Sequence, residues 1–490
     1  MSSGRMALGG GGIAQPDGMM EPHSATDTLR ATRLVARLEH IPFSPWHMRA
    51  RVVMGSATFL DAFDALSLAF VMPILIGLWH ITPVQIGWLI AASYIGQLVG
   101  ALVFSRLSET AGRIPAIIAA TALMSVMSFG CIFSGSFEML FICRLIQGIG
   151  VGGEMPVAAT YISEMSKARG RGRFFMLYEM IFPVGLMMTG QIATLLVPIY
   201  GWKTLFMVGG IPGMVVAIAI FWLPESPRWL ISRGRFEEAE VVIGKIEASA
   251  KAKYPDFVPS DGSTPTAGTL EHQTIVFPAA EHIRATERGR WAELLSPVFR
   301  NRTLIAWVLW AAAFFVANSL NNWMPTLCRT IYHMDLKTAL RVASMTNVAQ
   351  VIILLACAFC IDRIGRRSWT ISCFTLGMVI MGLLAFGTGN VYIEVSLAVL
   401  AYGVIGSINA VLYLYTPEIY PTRMRAIGVG LSTSWLRVAS AVGPATVGYM
   451  VHSAGIHAVF LMFAVVALLG AIAAWKMIET QNRQLEDIAH

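Results

Sequence analysis

The chain has 490 residues, of which 56% are hydrophobic and only 13% are charged. Soluble domains usually carry about 25% charged residues, so this composition argues against a soluble enzyme and favours a protein that lies in lipid. The net charge of +7 does not indicate nucleic-acid binding, because the basic residues sit in short loops between apolar segments, where they orient a membrane protein.

Residues 1–50 are predicted to form an N-terminal tail. The first 25 residues are rich in Gly and Met and lack the apolar stretch of a signal peptide. The segment 26–40 mixes basic and apolar residues, which predicts an amphipathic helix. This helix is expected either to lie on the membrane surface or to be free in solvent.

A helix that crosses the membrane needs about 20 mostly apolar residues. Six such segments come before a polar stretch of the chain, and six follow it. The predicted spans are 53–79, 84–107, 114–134, 137–164, 173–198, 203–223, 302–328, 340–361, 369–388, 391–415, 424–451 and 456–477. The sequence therefore predicts an all-α membrane protein with six-helix bundles at 51–223 and 302–478.

Between the bundles, residues 224–301 are predicted to be a cytoplasmic linker with short helices around 235–252 and 279–295. Residues 479–490 are predicted to be a C-terminal tail. If the N-terminus is cytoplasmic, the outer loops contain very few of the 36 basic residues, namely Lys203, Arg329, Lys337 and Arg341. The excess of Lys and Arg on the other side predicts an inner (plasma) membrane protein with both termini in the cytoplasm.

The two bundles repeat one another at an offset of about 253 residues, and parallel repeats of this kind place a binding site between the halves near the midplane. Gly112-Arg113 corresponds to Gly365-Arg366, and Asp64 in the first span corresponds to Asn318 in the seventh. Further charged pairs keep the same offset: Glu109 with Asp362, Glu164 with Glu418, Arg171 with Arg425, and Glu225 with Glu479.

The loop from Asp362 to Arg367 (DRIGRR) resembles the signature loop of the major facilitator superfamily. Its first copy is degenerate, since Ser105 stands where glycine is usual and Glu109 replaces the aspartate. The segments 144–152, 224–228, 417–423 and 479–480 resemble further motifs of the superfamily, shared with sugar porters and organic-ion transporters. The resemblance implies twelve helices in two pseudo-symmetric bundles.

In the first span, the sequence Asp61-Ala-Phe-Asp64 resembles the paired-aspartate motif of aromatic-acid/proton symporters and niacin permeases. The two aspartates lie about one turn apart and share a helix face. A charged side chain at the bilayer centre costs about 2.5–3.5 kcal/mol on insertion scales. One of the two is therefore expected to take up a proton near neutral pH, unless both are permanently paired structural carboxylates.

Two residues of the fourth span complete the predicted proton-coupling set. Arg144 cannot be neutralised, so it needs an acidic partner or an anionic ligand. In proton-coupled relatives the matching arginine takes part in coupling, whereas the alternative is structural pairing with a span-one aspartate. Glu154 follows Gly152-Gly153 and is a second candidate to bind the proton.

The predicted substrate-binding residues are polar groups inside the apolar spans. Arg437 lies deep in span eleven without an acid nearby on its own helix, so it is either the anchor of a carboxylate substrate or the partner of an acid from another span. Three amides in span seven precede Trp323 and Pro325 and predict a cavity wall. The full set is Arg437, Asn318, Asn321, Asn322, Gln147, Tyr178, Glu179 and Gln350.

Charged residues at the cytoplasmic helix ends are predicted to form a network between helices that holds one state of the transporter and breaks when that side opens. The alternative, orientation in the membrane, explains the arginines but not the matched acids. The gating set is Glu109, Arg113, Glu164, Arg171, Asp362, Arg366, Glu418 and Arg425.

The leading functional hypothesis is proton-coupled uptake of a small organic anion, aromatic or nicotinate-like, by a monomer. The alternatives are drug or organic-cation/proton antiport, with the aspartates binding the cation, and a membrane sensor with a transporter fold. No nucleotide loop, metal cluster or nucleophile–base pair is recognisable. We therefore expect no enzyme activity, no metal site, no nucleic-acid partner and no cofactor, with the proton gradient as the energy source.

Overall fold

The structure is a computed structural model that describes residues 25–165, 180–259, 291–420 and 422–480. Every regular element in these ranges is a helix. After α1 (Ala25–His40), the first half of the bundle comprises α2 (Pro45–Trp79), α3 (Pro83–Thr110), α4 (Arg113–Phe133), α5 (Phe137–Met165), α6 (Ile181–Tyr200) and α7 (Lys203–Phe221).

The linker contributes α8 (Pro227–Ser232), α9 (Phe236–Lys253) and a 3-10 turn at Trp291–Leu295. The second half comprises α10 (Arg300–Thr330), α11 (Leu336–Ile364), α12 (Arg366–Phe386), α13 (Val391–Glu418), α14 (Thr422–Ser453) and α15 (Gly455–Trp475). The linker helix predicted around 235–252 corresponds to α9. Most of the one predicted at 279–295 lies outside the described residues.

Each of the twelve predicted spans corresponds to one long helix. Among the described residues, eleven helices are long and apolar enough to cross a membrane by length and composition. The twelfth, α14, has a lower hydropathy because it combines Arg437 with many glycine and hydroxyl residues. Its 32 residues are nevertheless more than the roughly 20 that a span needs. The predicted start of the fifth span, at 173, lies outside the described residues.

Successive spans run in alternate directions, so the linker, α1 and the C-terminal segment lie at one end of the bundle, which we name the linker side. The opposite end is named the far side. On the far side, Gly87 of α3 packs against the backbone of α14, where a Cβ atom would lie 2.8 Å from the carbonyl oxygen of Pro444. The two halves are therefore in direct backbone contact there.

Hydrogen bonds between the halves lie in the same far-side part of the molecule. Asn322 Nδ2 donates to the Tyr94 hydroxyl at 3.1 Å, and Gln191 Nε2 donates to the Ser344 hydroxyl at 3.3 Å. Within the described ranges these are the hydrogen bonds that join one half to the other. The structure therefore shows a conformation that is closed on the far side.

Helix α1 lies against the linker, which corrects both expectations for this segment. Its apolar face, including Leu34 and Leu38, is buried with Ile243 and Ile246 of α9. Arg37 of α1 also donates to Glu247 of α9 at 2.8 Å. Hydropathy alone could not identify this partner, because an apolar helix face is satisfied equally by lipid or by another helix.

This packing predicts that Leu34→Asp releases α1 from the linker. Leu34 is 2% exposed, and removing a buried leucine side chain costs about 2–5 kcal/mol before any charge is buried. Hydrogen exchange of the α1 and α9 amides should become faster in this variant. The matched control is Leu29→Asp, because Leu29 lies on the same helix and is 70% exposed. Equal exchange in the two variants would contradict the docked position of α1.

Candidate transport site

A buried ion pair joins α2 to α5 near the middle of the first half. Arg144 NH1 lies 3.7 Å from Asp64 Oδ2, and both side chains are 2% exposed. The guanidinium also donates to the Asp64 carbonyl oxygen at 3.2 Å and to the Ser67 hydroxyl at 2.9 Å. It packs over the ring of Phe206 at 4.7 Å from the centroid. The predicted pairing of Arg144 with a span-one aspartate is therefore present.

The other oxygen of Asp64 is held by a chain of polar side chains. The Ser128 hydroxyl donates to Asp64 Oδ1 at 3.2 Å, and Gln147 Nε2 donates to Ser128 at 2.7 Å. Gln147 therefore supports the ion pair in this conformation. Ser128 was not among the predicted site residues, although Thr121, Ser125 and Ser128 lie on one face of α4 and gave a usable signal.

Two further carboxylic acids, Asp61 and Glu154, meet beside this ion pair. Asp61 is 1% exposed and Glu154 is 0% exposed. Their carboxyl groups are within hydrogen-bonding reach of one another. The Thr58 hydroxyl donates to Glu154 Oε1 at 3.4 Å. We name Asp61, Asp64, Arg144 and Glu154 the acid cluster, so the structure brings all four predicted proton-coupling residues together.

The sequence around Glu154 explains its position. A Cβ atom at Gly152 would overlap the backbone of Gln97, and one at Gly153 would overlap the Phe104 ring. The two glycines therefore let α5 approach α3 closely. Pro156 follows inside the helix and cannot donate a backbone hydrogen bond, which loosens the turn that carries Glu154.

The asparagines of α10 are occupied by hydrogen bonds within the protein. Asn318 Nδ2 donates to Ser440 at 2.5 Å, and Asn322 Nδ2 donates to Tyr94 of the other half. Asn321 and Asn347 form a reciprocal amide pair at 3.3 and 3.2 Å. These amides therefore hold helices together in this conformation.

A similar contact occupies Gln350, whose Oε1 atom accepts from the Tyr402 hydroxyl at 2.8 Å. Tyr402 was not among the predicted site residues. A tyrosine in the middle of an apolar span is the signal that could have identified it, because a buried phenol needs a hydrogen-bond partner.

Arg437 of α14 is one of several second-half residues with a buried polar atom that lacks a partner. Its Nε atom is buried without a hydrogen bond, and the guanidinium forms no ion pair with a carboxylate in the described ranges. Tyr413 of α13 lies close to it. Asn409 Oδ1, one turn before Tyr413, and Trp307 Nε1 of α10 are likewise buried without a partner. Three neighbouring helices therefore supply unsatisfied polar atoms.

Aromatic side chains of the same three helices pack against one another. Trp307 packs against Trp435 with the ring centroids 5.7 Å apart, and Trp310 meets Tyr413 edge-on at 4.7 Å. Asn409 and Trp307 were not among the predicted site residues. The amide inside the apolar tenth span was a usable signal for Asn409, whereas nothing distinguished Trp307 from a packing residue.

The linker-side charges form matching clamps in the two halves. In the first half, Arg113 pairs with Glu164 at 2.9 Å, while Glu225 accepts from the backbone N–H groups of Arg113 and Ile114 at 3.0 and 3.2 Å. Partial burial raises the pKa of Glu225, and these backbone donors oppose the shift. The clamp therefore fastens the start of α4 to α5 and to the end of α7.

The second half repeats this arrangement. Arg366 pairs with Glu418 at 3.5 Å, and Glu479 accepts from the N–H groups of Arg366 and Arg367 at 3.0 and 3.1 Å. Both clamps connect helices of the same half and are intact while the far side is closed. Residues that correspond in the sequence repeat therefore make equivalent contacts in the two halves.

Several predicted residues have no such contact or are not described. Glu109 is exposed, and its backbone carbonyl accepts from Trp229 Nε1 at 3.0 Å. The side chains of Asp362 and Arg425 lie outside the described part of the chain, as do the whole residues Arg171, Tyr178 and Glu179.

Comparisons with known proteins place this architecture in a family. The family model described as "Sugar (and other) transporter" matches residues 79–490. The niacin transporter NiaP of Acinetobacter baylyi is 31% identical over 461 residues, covering 93% of this chain and 99% of that protein. The chain therefore belongs to this transporter family of the major facilitator superfamily. Its members are transporters and not enzymes, and they need no bound cofactor.

Other similar proteins carry different substrates in their names. Organic cation/carnitine transporter 7 of Arabidopsis thaliana is 28% identical, covering 91% of this chain and 94% of that protein. A partially occluded inward-open structure of the xylose transporter XylE from E. coli has a TM-score of 0.70 and 18% identity, covering 90% of this chain and 100% of that one. This structural likeness shows the twelve-helix fold.

The buried ion pair predicts strongly non-additive mutations. Arg144→Gln or Asp64→Asn alone leaves one uncompensated buried group and should lower stability by about 3–5 kcal/mol. The double variant removes both charges and should recover most of that loss. Thermal unfolding in detergent measures the three variants. Additive losses would show that the two side chains do not depend on each other.

Proposed function

We propose that this protein takes up a small organic acid, aromatic or nicotinate-like, together with protons across the inner membrane. The observation that carries the proposal is the separation of charges between the two halves. Arg437 in the second half has no carboxylate partner among the described residues, while the carboxylates gather in the first half. The similarity to a niacin transporter supports this substrate class.

The proposed anion site is built around Arg437. A guanidinium presents several N–H donors in one plane and can hold a carboxylate through two parallel hydrogen bonds. Trp435 and Tyr413 offer aromatic faces for a ring. The Asn409 side chain, an amide that both donates and accepts, can bind a ring nitrogen or a hydroxyl substituent.

The proposed proton site is the acid cluster. Carboxylic acids deep in a membrane protein are costly when ionised, so they bind protons when the surroundings offer them. Because these acids lie in the first half and the anion site in the second, binding of both ligands acts on the contact between the halves. Proton and substrate transport are then coupled if the ligand-bound and ligand-free proteins differ in how the halves are closed.

The proposed transport cycle depends on how the protein is oriented in the membrane. The excess of basic residues supports a cytoplasmic location of the linker side, and a conformation closed on the far side would then face inward. The halves at 51–223 and 302–478 rock against each other, and the linker-side clamps, with the gating residues named above, act when that side closes. A monomer suffices, because each half provides one of the two sites.

Organic-cation transport is the second candidate, because one relative is named for organic cations and carnitine. In that case Asp61 and Asp64 would bind the cation. Asp64, however, is already paired with Arg144, and Asp61 is 1% exposed. This arrangement favours a proton over an organic cation at the acid cluster.

Purified protein in liposomes should accumulate labelled nicotinate when the outside is more acidic than the inside. Accumulation should vanish when a protonophore removes the gradient. Benzoate should compete, because it keeps the ring and the carboxylate, whereas nicotinamide, which lacks the carboxylate, should not. Accumulation of carnitine instead of nicotinate would favour the cation hypothesis.

Arg437→Met should weaken nicotinate binding by about 10–100-fold, since a hydrogen bond to a charged group contributes about 1.5–3 kcal/mol. Arg437→Lys should retain part of the affinity, because it keeps the charge but loses the planar pair of donors. The matched control is Arg341→Met on α11, where the arginine is exposed. Binding in detergent, read by ligand-induced thermal stabilisation, measures all three. Unchanged binding in Arg437→Met would refute the anion site.

A further inference from the structure

The acid cluster contains two pairs of neighbouring side chains. Asp64 and Arg144 have opposite charges, whereas Asp61 and Glu154 are both acids. Asp64 has a cation within 3.7 Å and a hydroxyl donor at 3.2 Å. Asp61, in contrast, forms no ion pair in the described part of the chain, and with both carboxyls ionised neither of its oxygens would have a donor. The same holds for Glu154 Oε2. The charges of Asp64 and Arg144 therefore compensate each other, whereas Asp61 and Glu154 are two acids without a cation of their own among the described residues.

The surroundings offer Asp61 and Glu154 little compensation. Thr58 supplies one donor at 3.4 Å to Glu154, and the charged groups that act on Asp61 from the described residues are Glu154 and Asp64, both acidic. The guanidinium of Arg144 is directed to Asp64 and Ser67. Both acids are at most 1% exposed, so water does not screen their repulsion.

Two adjacent carboxylates in such a setting cannot both remain ionised. A single proton placed between them removes one charge and converts the remaining repulsion into a charge-assisted hydrogen bond. The same proton would gain less at Asp64, because the Arg144 guanidinium 3.7 Å from Oδ2 and the Ser128 hydroxyl on Oδ1 favour its ionised form. The surroundings of the two aspartates therefore favour Asp61 over Asp64 as the residue that binds the proton.

We propose that Asp61 and Glu154 share one proton, that this is the proton coupled to transport, and that the Asp64–Arg144 pair stays ionised and positions the two acids. This inference rests on the proposed proton-coupled function and names its site. The step is a simple transfer: a hydronium ion gives its proton to the carboxylate pair and becomes water, and release is the reverse. No covalent bond other than O–H forms or breaks.

The shared proton acts on helix packing because its two holders belong to different helices. Asp61 lies on α2 and Glu154 on α5. With the proton bound, the acids attract and hold α2 against α5; without it, two negative charges push these helices apart. Pro156 makes the adjoining turn of α5 the place where such a push can be absorbed.

The first test uses the unmodified protein and so does not depend on the folding of a variant. Dicyclohexylcarbodiimide is an apolar reagent that adds to protonated carboxyl groups. We expect mass spectrometry to find the label on Asp61 or Glu154, decreasing as the pH is raised, and not on Asp64. Labelling of Asp64 alone would overturn the assignment.

The second test separates coupling from transport. Asp61→Asn and Glu154→Gln should abolish gradient-driven accumulation of nicotinate but retain exchange of labelled for unlabelled nicotinate across the liposome membrane. The matched control is Glu138→Gln at the exposed start of α5, which should accumulate substrate like the unmodified protein. Intact gradient-driven accumulation in either cluster variant would refute the shared proton as the coupled one.

A spectroscopic readout accompanies the transport assays. Infrared difference spectra between acidic and alkaline pH should show the carbonyl stretch of one protonated carboxyl, lost in Asp61→Asn or Glu154→Gln and kept in Glu138→Gln. A band that survives in both cluster variants would place the proton elsewhere. If unmodified protein transports nicotinate without any response to the gradient, the proposed function fails, while the label and the band still decide where the proton lies.

Discussion

The contact on which the first half depends is the ion pair between Asp64 and Arg144. A guanidinium in the middle of a membrane protein cannot lose its charge, so it must be matched by an acid and by hydrogen-bond acceptors. Asp64, its backbone carbonyl and Ser67 all meet that requirement from α2. This arrangement fixes α5 against α2 and, through Gln147 and Ser128, brings α4 into the same network. It also uses the cluster's only cation, which leaves the neighbouring acids to be neutralised by a proton.

The two halves share a framework but not their chemistry. On the linker side, Glu225 and Glu479 accept from the backbone at the starts of α4 and α12 in the same way, and both clamps contain an Arg–Glu pair. In the middle of the membrane the correspondence ends, since Asn318 takes the place of Asp64 and donates to Ser440. The repeated contacts connect helices within each half, and the proposed ligand chemistry belongs to residues that differ between the halves.

The helices, the duplication and the pairing of Arg144 could be predicted from the sequence. Hydropathy, the offset between repeated residues and a charge that cannot be neutralised are each visible without knowledge of the packing. It did not predict that α1 packs on α9, since an apolar face does not reveal its partner. It also could not decide the use of the asparagines of α10. Asn322 donates to Tyr94, a contact between residues far apart in the sequence that depends on how the halves are closed. The pairing of Asp61 with Glu154 likewise required the packing of α5 on α2.

The far-side closure is the part of the structure that has to open during transport. Among the described residues it combines close helix packing, as at Gly87 against Pro444 and Gly190 against Ser344, with two hydrogen bonds between neutral groups, Asn322 to Tyr94 and Gln191 to Ser344. Each such bond contributes only about 0.5–1.5 kcal/mol net. A ligand shifts a conformational equilibrium only by the difference between its affinities for the two states. The affinities for a proton shared by α2 and α5 and for an anion held by α14 can both differ between the two states. Helix α5 packs on α3, and α3 and α14 are part of the closure.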